Sequence, residues 1–180
     1  MTESQSMTEY SGEYMDHAIL CTSECGGRQV TTYQIKLKVP PTPNKQAFCD
    51  NLQIFSKLCI KHLNEKTYYA QILDARQSDV IPVGWVIDIV NVLKPLHEIF
   101  RSTLIASVVI VPKTSLSQFV DEMLKSYYYP TRPLKIIKAN MHTTCNDEIG
   151  SFISMHVGVK SFIELEEQRE ILSKTHIAES

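Results

Sequence analysis

Ala106-Ser107-Val108-Val109-Ile110-Val111, closed by Pro112, is the stretch on which the fold turns. It is rich in β-branched side chains and shows no polar alternation. A short continuous apolar run of this kind reads as a strand covered on both faces, in the middle of a sheet. Tyr68-Tyr69-Ala70-Gln71-Ile72-Leu73-Asp74 (YYAQILD) reads as a second strand and is placed beside it.

Outward from these two runs, strands alternate with helices. Ala18–Thr22 and Thr31–Val39 predict an opening hairpin through Glu24-Cys25-Gly26-Gly27-Arg28. Tyr33, Ile35, Leu37 and Val39 fall on one side of its second strand, and Thr32, Gln34, Lys36 and Lys38 on the other. That period of two marks a half-buried strand, and outward lysines suit a sheet edge. Pro40-Pro41-Thr42-Pro43 stops it, with Thr42 placed to cap a helix. Phe48, Leu52, Phe55, Cys59 and Leu63 then form one apolar stripe. After YYAQILD, Val83–Arg101 predicts a helix that is broken at Pro95, which cannot bond the carbonyl of Asn91. After ASVVIV, Ser115 and Gln118 open a helix carrying Leu116, Phe119, Val120, Met123, Leu124 and Tyr127. Leu134–Ile137 is the last strand, followed by a short irregular segment. Ser161 and Glu164 then make a capping box that opens an acidic helix to about Ser173.

The predicted fold is a single α/β domain over residues 16–173. Its mixed, mostly parallel sheet has about five strands, built as a hairpin and three helix–strand units. Helices cover the sheet and one more closes the chain. Residues 1–15 and 174–180 read as flexible tails, because they have little to bury.

Composition excludes several functions. The chain has 180 residues, is 43% hydrophobic and 21% charged, and carries a net charge of -2. A nearly neutral chain has no electrostatic case for a nucleic-acid partner. Only 6 glycines are present, and neither GxGxxG nor GxxxxGK[ST] occurs, so no phosphate-cradling loop is expected. No apolar run is long enough to span a membrane, and the start lacks a signal-peptide pattern. The 5 cysteines therefore read as reduced thiols in a cytoplasmic, reducing compartment.

Three groups of residues remain as candidates. In open α/β sheets ligands bind beyond the carboxyl ends of the strands. There the sequence places Asp74 and Arg76, then Lys113, then Asn140 and His142, either as a ligand site or as ordinary strand-end polar residues. Cys21 and Cys25, with His142 and Cys145, have the ligand types of a tetrahedral zinc site, the one cofactor considered. Buried cysteines pack equally well as small hydrophobes. No GxSxG elbow or paired-carboxylate motif occurs, and no catalytic residue is assigned. The third group is Tyr127-Tyr128-Tyr129-Pro130-Thr131-Arg132-Pro133. Three successive tyrosines at a helix end cannot all enter one core, and Tyr and Arg are enriched where proteins meet.

The order of elements from Ala18 to Ile137, with Ile72-Leu73-Asp74, a loop, and Gly84 opening a buried helix, resembles the STAS (anti-sigma-factor-antagonist) domain. The lipid-binding CRAL-TRIO domain has a similar order. Where STAS domains carry a phosphorylated serine before the glycine, this chain has Pro82-Val83, so that switch is not implied. The resemblance implies binding to other proteins. The expectation is a non-catalytic interaction module with a protein partner, with a homo-oligomer also open. The alternatives are an apolar-ligand carrier, built around Trp85 and the break at Pro95, and a small enzyme using Asp74, Lys113 and His142.

Overall fold

The computed structural model describes residues 7–38, 42, 44–77, 85, 88, 91–113 and 132–178. Its sheet has six strands in sequential order: β1 (Met7–Ser11), β2 (Met15–Cys25), β3 (Arg28–Leu37), β4 (Tyr68–Asp74), β5 (Leu104–Val111) and β6 (Leu134–Lys138). The first two pairings are antiparallel and the last three parallel. Four helices are described: α1 (Lys45–Glu65), α2 (His97–Thr103), α3 (Asn146–His156) and α4 (Val159–Ala178). Every residue of β5 is buried, and β4 lies beside it, so the two deciding runs occupy the centre of the sheet.

Alternation along the central strands divides the core between two faces. Tyr33 and Ile35 of β3, Tyr69 of β4 and Leu104 of β5 pack with Phe48, Leu52 and Phe55 of α1 and Phe100 of α2. On the opposite face, Ala70, Ile72, Val108 and Ile110 pack with Ile149 and Ile153 of α3. Val30, Tyr68, Ile105 and Ala106 pack with Phe162 and Leu165 of α4. Pro95 stands inside the 3-10 turn Lys94–Leu96, which breaks the helical path before α2, because a proline ring cannot accept a regular helical turn behind it.

Several boundaries differ from the sequence reading. Residues 1–15 contain β1, and β2 already begins at Met15. An edge strand pairs through its backbone and needs little apolar alternation, so MTEYS carries almost no signal. Asn51 ties this hairpin to α1 by accepting from the Tyr14 amide and the Tyr10 hydroxyl. A Cβ on Gly12 would run into the side chains of Tyr10 and Asn51, which would have to shift to admit any other residue. The cap of α1 is Asn44, not Thr42; its side chain accepts from the Gln46 and Ala47 amides. The segment read as irregular holds α3. Ser161 lies inside α4 and donates to the His156 carbonyl, so it forms no capping box with Glu164. That helix runs on to Ala178, through most of the expected C-terminal tail.

His62, in the last turn of α1, is buried between Thr67 Oγ1 at 2.7 Å and the Tyr33 hydroxyl at 3.0 Å. Its ring stacks on Tyr69 with centroids 4.7 Å apart. Burial, reinforced by Lys61, pushes its pKa down from 6.5 to about 4. Burial likewise lowers His17. Between these limits the unfolded chain takes up a proton that the folded chain refuses. Stability is therefore complete above pH 6.5 and falls as the pH drops toward 4. Discounted for residual solvent screening, His62 accounts for about 2 kcal/mol of that loss. Urea unfolding at pH 7 and at pH 4.5 measures it, and His62→Gln is expected to flatten the slope. The carboxylates with lowered pKa, Asp16, Asp74 and Glu166, add to the loss from the lower end of this window downward, where the unfolded carboxyls take up protons first.

Candidate functional site

Parallel pairing continues past the strand ends and brings their loops together. The Ala75 amide donates to the Ile110 carbonyl at 2.8 Å, and the Ala139 amide to the Val111 carbonyl at 3.0 Å. The chain after β4 therefore lies against the end of β5, and the chain after β6 lies against β5 from the other side. Asp74, Arg76 and the segment Asn140–Thr143 meet at this corner.

Arg76 fills it. Its Nε donates to Asp74 Oδ1 at 2.9 Å and its Nη2 to Asp74 Oδ2 at 2.6 Å, a bidentate fork. Its Nη1 donates to the carbonyls of Asn140 at 3.3 Å, Met141 at 3.1 Å and Thr143 at 2.9 Å. The Arg76 backbone amide adds a bond to Asp74 Oδ1 at 3.2 Å. Burial alone would raise the Asp74 carboxyl, but the Arg76 bonds and charge outweigh it and hold it below the ordinary carboxylate range. The bond to Asp74 in turn raises Arg76. A carboxylate clamped in its ionised form is a weak proton acceptor at neutral pH. Asn140 enters this corner through its carbonyl. Lys113 and His142 are exposed. The geometry suits a loop clamp: one guanidinium fixes the path of the chain from β6 into α3, where Asp147 and Glu148 face the helix N-terminal dipole.

Arg132 is committed in the same manner. Its Nε donates to the Leu104 carbonyl at 2.9 Å, its Nη1 pairs with Glu164 at 3.3 Å, and its side chain is only 8% exposed. It fastens the segment before β6 to α4 and is not an open partner contact. Tyr127, Tyr128 and Tyr129 lie outside the described residues.

The zinc candidates do not come together. Cys21 and Cys25 are four residues apart on the extended strand β2, roughly 13 Å at strand rise. His142 and Cys145 follow β6, four strands away, on the order of 19 Å across the sheet. Ligand atoms around one zinc ion sit within about 4 Å of each other. Among the described residues no three His, Cys, Asp or Glu side chains group so as to hold a metal ion. Cys145 instead supplies the cap position of α3, and Cys59 is buried and bonded by the Tyr69 hydroxyl at 3.3 Å. Trp85, the centre of the carrier alternative, stacks on Phe48 with centroids 5.0 Å apart and meets Tyr14 edge-on. Its ring is part of the core on the α1 face.

Three features escaped the sequence reading. Arg169 of α4 donates to the carbonyls of Lys66, Thr67 and Ser102 and lies 4.8 Å over the Tyr68 ring. It thereby serves the carboxyl ends of α1 and α2 together, where helix carbonyls lack partners. Glu166, in the acidic stretch of the same helix, accepts from Arg28 at 2.7 Å and from the Tyr68 hydroxyl at 3.1 Å. The third is a set of exposed apolar side chains: Met155 is 75% exposed, Val159 61% and Ile163 49%. Val159 and Ile163 stand one turn apart on α4, and Met155 is in the last turn of α3. Val159 and Ile163 were legible as an i,i+4 pair, but they stand in an acidic stretch that reads as solvated.

No family model, curated protein or solved structure matches this chain. Among the described residues no helix is long and apolar enough to cross a membrane.

Proposed function

We propose that this chain is a non-catalytic protein–protein interaction module working in assembly or regulation. The observation that carries the reading is the exposure of the large apolar side chains Val159 and Ile163, one turn apart on α4, with Met155 near the end of α3. Apolar side chains left at a surface in company favour a site that another molecule covers. The commitment of Asp74 and Arg76 to each other and to loop carbonyls supports the same reading, since both side chains are spent on holding the loop. The resemblance in element order to STAS domains, which mostly bind other proteins, points the same way. The five free thiols, Cys21 among them exposed, favour a reducing intracellular compartment.

The test is affinity purification from the native source with the full chain, its Tyr128→Ala variant and its Ile163→Ser variant. Loss of a stoichiometric partner with either variant, at unchanged thermal midpoint, is the expected result. A chain that retains no partner, or retains it equally in all three forms, overturns the proposal. Arg132→Ala is unsuitable as an interface probe, because it would strip α4 of an internal contact.

A further inference from the structure

We infer that the edge of β2 at Cys21–Cys25 pairs, antiparallel, with the same edge of a second copy of this chain, joining two six-stranded sheets into one. The inference goes beyond the interaction reading above and uses a different surface. β1 covers β2 only as far as the pair Met7 and Ile19. From Cys21 to Cys25, β2 pairs with β3 alone among the described residues, and Cys21, Thr22, Ser23 and Glu24 are all exposed. An open strand edge is a template for another chain unless proline, lysine or a bulge blunts it. CTSEC contains neither proline nor lysine, and the register shift of β2 lies before it, between Ile19 and Cys21.

The backbone fixes the register in which the second copy fits. Gly26 and Gly27, both at positive φ, form a two-residue turn, so its closing pair, Cys25 and Arg28, is hydrogen-bonded. Bonded and non-bonded pairs alternate along an antiparallel ladder. Cys25, Ser23 and Cys21 therefore spend their backbone groups on β3, and Glu24 and Thr22 point theirs outward. When two copies meet about a twofold axis through Ser23, Thr22 of each lies opposite Glu24 of the other. Every outward N–H and C=O of these residues then finds a partner. An axis through Glu24 would set that carboxylate against its own copy, which is penalised. An axis through Thr22 would bring Glu24 against Leu20, where the register of the strand shifts.

The same register puts Cys21 of one copy directly opposite Cys25 of the other, at a non-hydrogen-bonded position. Such positions hold their Cα atoms about 4.5 Å apart, within the reach of a disulfide. Within one chain the two residues are roughly 13 Å apart along the strand and cannot bridge. In a reducing compartment the backbone bonds hold the contact, and the thiols serve to report it.

The experiment uses the full chain with Cys49→Ser and Cys145→Ser, which leaves only the buried Cys59 beside the reporting pair. It is incubated at about 0.1 mM with oxidised glutathione, a concentration that populates micromolar dimers. An S–S bond forms between Cys21 and Cys25 of the second copy, and the electrons and protons released reduce the glutathione disulfide to its two thiols. A covalent dimer that peptide mapping assigns to Cys21 with Cys25 is the expected product. The reduced chain at the same concentration is expected to sediment above the 20.5 kDa monomer. Cys21→Ser and Cys25→Ser, each alone, are expected to cut the covalent dimer at least about tenfold, because like cysteines lie too far apart in this register. Thr22→Pro removes an N–H that points away from β3, so it is expected to keep the thermal midpoint and cut the dimer at least about fivefold. A covalent dimer that persists through a single remaining cysteine of the pair is collisional and overturns the inference. So does a chain that stays monomeric in both assays, or a dimer indifferent to Thr22→Pro. Should Thr22→Pro fail to fold, the mapped linkage and the two cysteine variants decide by themselves. None of these changes touches α4, so the interaction proposal stands or falls separately.

Discussion

Arg76→Ala is expected to destabilise the chain by about 3 kcal/mol, lowering the thermal midpoint by roughly 10 °C for a domain of this size. The substitution removes five side-chain hydrogen bonds: two to Asp74, and one each to the carbonyls of Asn140, Met141 and Thr143. It also strands the Asp74 carboxylate, whose side chain is 10% exposed, without its cation. An uncompensated charge in such a place costs more than the lost bonds themselves. The double variant Asp74→Asn, Arg76→Ala is therefore expected to be more stable than Arg76→Ala alone, and a double-mutant cycle measures the difference. Two further readings separate a clamp from a ligand site. Amide hydrogen exchange around Asn140–Thr143 should rise sharply in Arg76→Ala. The acid limb that Asp74 contributes, present above its ordinary value of 3.8 and lost as the pH falls below it, should disappear. A change within about 0.5 kcal/mol would mean that Arg76 is dispensable to the fold and free to serve a ligand.

The roles of the arginines show where reading a sequence stops. The centre of the sheet was legible because burial on both faces leaves a continuous apolar run, and β5 and the end of β4 have that composition. The stripe of α1 was legible because Phe48, Leu52, Phe55 and Cys59 repeat with the helical period. What a guanidinium does is not periodic. Arg169 bonds carbonyls 67 to 103 residues away in the chain, and nothing local to it marks them. The residue type shows only that several N–H donors need acceptors. Arg76 was placed in a ligand site by its position after a strand and Arg132 in an interface by its residue type, and the acceptors of both lie within the chain. The helix α3 was hidden by Gly150 within it and Gly158 just after it, which lower helical propensity, although Ile149, Phe152 and Ile153 have the right spacing. Zinc failed for a geometric reason that residue spacing alone could not give: four positions along an extended strand separate two thiols far more than four along a helix.

Phe162→Ala and Ile163→Ser, at adjacent positions on α4, are expected to differ in effect by several kcal/mol. Phe162 is fully buried, with its ring 5.1 Å from the Tyr68 ring and the Arg28 guanidinium 5.3 Å above it. It shares its cluster with Leu165 of the same helix and with Val30, Ile105 and Ala106 of the sheet. Truncating it opens a cavity that the strands beneath cannot close, at about 3–5 kcal/mol. Ile163 is half exposed, and isoleucine and serine have nearly equal helix propensities, so Ile163→Ser should stay within about 0.5 kcal/mol. Urea unfolding of the two variants checks both values. Successive residues on a helix point roughly 100° apart, so the contrast tests which side of α4 rests on the sheet. If Ile163→Ser were the damaging change, the helix would be turned about its axis. The exposed apolar side chains of α4 would then be core, and the surface on which the interaction proposal depends would not exist.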